Sequence, residues 1–183
     1  MKKTTIFIMF LISLIFLSSC SSDKDNNTDN SNNDGDTSQE EVIPFKIGNT
    51  ADFENWQITV KNISFKDELT FSSSISYKPE SNKKYAVIEI TVKNTGSTSA
   101  TFLPMITISG GITAKILYDN TNELSAAIFS GQTESLVDKE IASLQTVNGI
   151  LAYPMSAEQI NSGKPIQLKI RNSLNYILFD LNN

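Results

Sequence analysis

Between residues 84 and 94 the side chains alternate strictly, and no other stretch limits the fold as sharply. Ala86, Ile88, Ile90 and Val92 fall on one side of an extended chain, and Tyr85, Val87, Glu89, Thr91 and Lys93 on the other. A period of two is the mark of a strand with one face against a core, since helical packing would need a period of 3.6. The run ends in Asn94-Thr95-Gly96-Ser97, residues that suit a tight turn. A second alternation, Trp56, Ile58 and Val60, resumes at Ile63 and Phe65 after a one-residue slip at Asn62, which predicts a β-bulge.

Shorter runs rich in Ile, Val, Phe, Tyr and Thr follow at residues 100–108, 112–118, 123–129, 136–144, 147–153, 166–171 and 174–181. Asn172-Ser173 predicts a tight hairpin between the last two. One helix is expected over residues 156–161, with Ser156 as N-cap, Gln159 three residues on and Gly163 beyond its end. Many short strands separated by turn residues predict an all-β, antiparallel sandwich over residues 42–183.

What precedes that domain has a different character. Lys2 and Lys3 introduce an apolar run that would reach only about 21 Å as a helix, short of a bilayer core of roughly 30 Å. This is the layout of a cleavable export signal, assigned to residues 1–19. Leu17, Ser18, Ser19 and Cys20 resemble the bacterial lipobox, in which the cysteine thiol takes a thioether-linked diacylglycerol. Two acyl chains hold a protein durably where one is marginal, so lipid on Cys20 is expected to fix the mature chain to the outer face of a cell membrane.

Residues 20–41 are then a disordered linker, because past Cys20 they carry no apolar residue to offset the entropy of ordering. Taut, it would reach about 70 Å. Asp23, Asp25, Asp29, Asp34, Asp36, Glu40 and Glu41 face Lys24 alone there, so the acidity of the chain, net −5, describes the tether. Asn30, Asn32, Asp34, Gly35, Asp36, Ser38 and Glu41 fall at the spacing of an EF-hand loop. Asn stands at the first ligand position, Thr37 replaces the usual apolar residue and no helix flanks the loop, so solvated tether is the expectation.

Composition excludes much chemistry. Cys20 is the only cysteine and there is no histidine, so no disulfide, thiol nucleophile or imidazole base is available once the lipid is attached. No cofactor or metal site is expected, and no basic face suggests nucleic acid. Ser81 and Lys84 match S-x-x-K, but Pro79 and the strand at 84 leave no helical turn to bring them together. Glu89, Asp119, Glu123, Asp138 and Glu140 are the domain's candidates for a carboxylate pair, and none lies in a motif. Trp56, Phe65, Tyr85, Tyr153, Tyr176 and Phe179 could line a recognition surface, though most are expected to be core.

The runs Asn55-Trp56-Gln57-Ile58-Thr59-Val60 and Lys84-Tyr85-Ala86-Val87-Ile88-Glu89-Ile90-Thr91-Val92-Lys93-Asn94-Thr95-Gly96 resemble domain-of-unknown-function family 4352. These are small extracellular domains common in lipoproteins of Gram-positive bacteria. The resemblance implies an immunoglobulin-like two-sheet sandwich, a strand near 147–153 ending at Pro154, and a final strand over 176–181. It supplies no catalytic residues. The chain departs from it in a longer polar insertion at 67–82 and an irregular middle at 103–140. Together these readings lead to a surface-displayed, non-catalytic module that contacts a protein, a peptide or an envelope polymer. Two alternatives stand beside it: an immunity or phage-exclusion lipoprotein acting by occupancy at the membrane, and a hydrolase built on carboxylates or on Ser81 with Lys84.

Overall fold

The computed structural model describes residues 42–182, apart from 72–73 and 107–110. The signal segment, the lipobox with Cys20, the tether and its calcium-like loop therefore lie outside the described residues. In chain order the strands are β1 (Phe45–Lys46), β2 (Thr50–Phe53), β3 (Trp56–Lys66), β4 (Leu69–Thr70), β5 (Ser76–Tyr77), β6 (Lys83–Asn94) and β7 (Ala100–Thr101). They continue with β8 (Thr113–Tyr118), β9 (Asn122–Ser125), β10 (Glu140–Ile141) and β11 (Thr146–Ser156), then helix α1 (Ala157–Asn161), β12 (Ile166–Arg171) and β13 (Tyr176–Asp180).

Two sheets carry the fold, one of four strands in the order β11-β6-β3-β2 and one of five in the order β1-β13-β12-β8-β9. The alternation in β6 does what it predicts: Ala86, Ile88, Ile90 and Val92 are at most 1% exposed and face the other sheet's Ile116, Leu168, Ile170 and Phe179 across one core. Pairings in the two sheets are antiparallel except β1 with β13, where the entering chain runs beside the last strand. The bulge is present, with the register shifting between Val60 and Asn62 so that Lys61 is the extra residue.

Three expected strands are much shorter than their apolar runs. Of residues 100–108 only β7 is a strand among those described, since Pro104 offers no N–H to continue the ladder. The run 123–129 stops at Ser125 because the chain there leaves its sheet, and Ala127 N–H donates to Ala152 O on the edge of the opposite one, 2.8 Å away. The run 136–144 reduces to β10, paired only with β7. β11 passes through Pro154 to Ser156 instead of ending there. As the outermost strand of its sheet it tolerates a missing N–H.

The helix matches its signal: Ser156 Oγ accepts from Gln159 N–H, and the Gln159 side chain accepts from Ser156 N–H. At the expected hairpin, Asn172 Oδ1 accepts from both Leu174 and Asn175 N–H, at 2.8 and 2.7 Å. The polar insertion after β3 carries its own ribbon, β4 with β5, which folds over the outer face of the four-stranded sheet.

Candidate binding surfaces

The residues singled out for chemistry are dispersed by the fold. Lys84 Nζ lies 3.1 Å from Asp67, and Ser81 is in the exposed turn before β6, so the S-x-x-K pair is not assembled into a nucleophile and base. Asp119 is bound to Lys164 at 2.6 Å. Asp138 sits in a loop with φ +60, Glu140 is on the short β10, and Glu89 is on the outer face of β6. Among the described residues no group of three or more Asp, Glu, His or Cys could hold a metal ion.

Glu123 is the most strongly held carboxylate. It projects from β9 between Lys115 of β8, at 2.8 Å, and Lys169 of β12, at 3.1 Å. The hydrogen bond from Lys115 is the main cause that lowers its pKa to about 2, reinforced by Lys169 and opposed by partial burial. Lys169 also lies 5.2 Å from the centre of the half-exposed Tyr176 ring. One carboxylate thus links two ammonium groups across three strands, an arrangement that staples a sheet face.

The aromatics divide as structure demands. Trp56, Tyr85, Tyr153 and Phe179 are buried, while Phe65 and Tyr176 keep 38% and 43% of their surface exposed. Trp56 meets Phe102 edge-on at 5.1 Å. Tyr153, fully buried in β11, donates its hydroxyl to Ala114 O at 3.2 Å, and burial raises its pKa. That hydroxyl satisfies a carbonyl of β8 just where β9 has turned away.

Asn94, the polar residue that ends the family-like strand, also proves structural. It is 1% exposed, and its Nδ2 donates to Thr98 O and Ile141 O while its Oδ1 accepts from Gly96 N–H. One side chain thus closes the turn after β6 and pins β10 beside it, a role that needs an amide's two donors and an acceptor on one short stem.

One apolar surface left over is a cleft in the irregular middle of the chain. Two adjoining hollows, about 440 and 240 Å³, share Met105, Ile128 and Val137 as lining. Met105 and Ile128 are each about half exposed, and Pro104, Ala126 and Ile112 extend the apolar wall. The cleft exists because residues 126–139 cross from one sheet to the other: Ala127 bonds to β11, Leu136 is fully buried, and Leu103 and Val137 form a parallel bridge. Met105, Ile128 and Val137 were not legible as a surface because they sit in runs that look like strands. Pro104, inside the run 100–108, was the available signal that this run is broken.

No helix among the described residues is long and apolar enough to cross a membrane. No curated protein matches the chain. Among solved structures, an uncharacterized β-sandwich protein from Clostridium difficile superposes with a TM-score of 0.57 at 21% identity, covering 79% of this chain and 98% of that one. A conserved hypothetical protein from Bacillus anthracis gives 0.55 at 17% identity, covering 79% and 100%. The yjhA protein of Bacillus subtilis gives 0.53 at 17%, covering 75% and 99%. At such identities the likeness shows the fold, which is the sandwich that the periodicity predicts. The model of the family described as a domain of unknown function, DUF4352, matches residues 45–176, and the chain belongs to that family.

Proposed function

We propose that the protein is a lipid-anchored surface protein whose sandwich is a non-catalytic interaction module, held by lipid on Cys20 and binding another protein through the cleft beside Met105 and Ile128. The observation that carries the reading is that cleft: exposed Met and Ile side chains gathered around hollows of about 440 and 240 Å³, flanked by loops on a rigid two-sheet frame. Methionine at such a surface adapts to a partner's shape. The scattering of the candidate acids among separate ion pairs and loops supports a binding role over hydrolysis.

The test has two arms. Growth with a radiolabelled fatty acid labels the wild-type protein, and Cys20→Ser abolishes the label and moves the protein out of the membrane fraction. Cross-linking in intact envelopes recovers a partner with wild type but not with Met105→Glu/Ile128→Glu, whose melting temperature stays within a few degrees. Recovery no greater than with a tether-only control overturns the module reading.

A further inference from the structure

The bulge in β3 shapes another hollow, on the outer face of the four-stranded sheet, which meets the cleft's crossing segment at Glu134. On the outer face of the four-stranded sheet the β4–β5 ribbon and Phe129 cover one part, around Tyr85, Val87 and Ala152. Beyond that cover lies a depression of about 330 Å³ whose lining includes Lys61, Glu89, Thr91, Glu134, Asn148 and Ile150. The strap at residues 134–136 forms its wall, with Ile150 N–H donating to Glu134 O at 2.8 Å. Gly149 makes that approach possible, because a Cβ there would stand 2.6 Å from Leu136 Cγ and 2.7 Å from Glu134 O.

Three features make the hollow more than a gap. The register shift places Lys61 and Asn62 where a regular strand has one residue, opposite Glu89, and bulges commonly re-aim side chains in this way. Lys61 and Glu89 are both exposed, and among the described residues neither forms an ion pair or a side-chain hydrogen bond. Thr91 Oγ1 donates to Asn148 Oδ1 at 2.6 Å, which fixes the amide and leaves its Nδ2 hydrogens to donate elsewhere.

We propose that this hollow is a binding site for a small zwitterion of the amino-acid or short-peptide class. Lys61 and Asn148 Nδ2 receive the ligand's carboxylate, Glu89 receives its ammonium, and Ile150 meets its apolar carbon. A ligand with both signs is the one that matches a site holding a free cation and a free anion on neighbouring strands. The volume suits a dipeptide. This site shares only the crossing segment around Glu134 with the cleft, and it makes no use of lipid on Cys20.

The test is titration of the full chain in neutral detergent with alanyl-alanine, its N-acetyl form and its C-terminal amide, followed by calorimetry. Saturable binding of the free dipeptide is expected, with each blocked form weaker by about tenfold. Lys61→Met should erase the preference for the free carboxylate, and Glu89→Gln the preference for the free amine, both at unchanged melting temperature. No saturable binding, equal binding of the blocked forms, or preferences that survive both substitutions overturns the assignment. None of these results touches the proposed partner cleft, which is read by cross-linking.

Discussion

The four-stranded sheet is packed on both faces, and its two apolar clusters are built in different ways. The inner cluster joins the two sheets through residues that repeat every second position: Ile58 and Val60 on β3, Ile88 and Ile90 on β6, Leu151 and Tyr153 on β11. The outer cluster borrows its members from distant segments. Tyr85 and Val87 come from β6, Ala152 from β11, Leu69 and Phe71 from the insertion, and Phe129 from the loop that crosses between sheets. Phe129 is its hub, with ring centres of Tyr77, Phe71 and Tyr85 at 4.9, 5.1 and 5.7 Å. The lesson is that a strand facing a core writes itself into the sequence, whereas a cover over the other face is assembled from pieces with no shared period.

That difference should appear in stability. Ile88→Ala removes a fully buried side chain from the inner cluster, and a loss of about 4 kcal/mol in denaturant unfolding is expected, with all strands losing protection together. Phe129→Ala should cost about 3 kcal/mol but act locally, with hydrogen exchange rising over residues 69–77 while β3, β6 and β12 keep their protection. Uniform loss of protection in the second variant would break the distinction and make the outer cluster part of one cooperative core.

Smaller effects sharpen it further. Gly149→Ala forces a Cβ against the 134–136 strap, and about 2 kcal/mol of destabilisation is expected in thermal unfolding, with the ribbon β4–β5 unaffected. On the other sheet, Glu123→Gln removes a carboxylate held at about 2 against its ordinary 4.5. A depressed carboxyl stabilises fully above its unfolded pKa, and that stabilisation fades as pH falls through the folded one. Wild type should therefore exceed the variant by about 1 kcal/mol near neutral pH, and the two should converge between pH 4.5 and 2 in unfolding curves taken along the pH scale.

Legibility followed the same division. The period in β6, the bulge beside Asn62, the capping box at Ser156 and the Asn172 hairpin were all readable, because each depends on residues within a few positions of one another. The runs at 123–129 and 136–144 misled, because apolar content there serves burial without a strand: Leu136 is fully buried between two short bridges, and Phe129 has crossed to the other sheet's outer face. Met105 and Ile128 could not be recognised as a surface, since they are 23 positions apart and only the crossing loop brings them together.

By itself the sequence determined an all-β fold of the DUF4352 kind, because alternation over eleven residues suits a strand with one face against a core and not a helix, whereas distant pairings such as β6 with β11 and β1 with β13 were left to the tertiary structure. Tertiary structure alone decided which apolar residues stay outside. Whether Tyr85 is bare or covered, or Met105 buried or half exposed, depends on where a loop more than twenty positions away comes to rest. Such contacts are selected by the shape of the whole packed surface, and no local period records them.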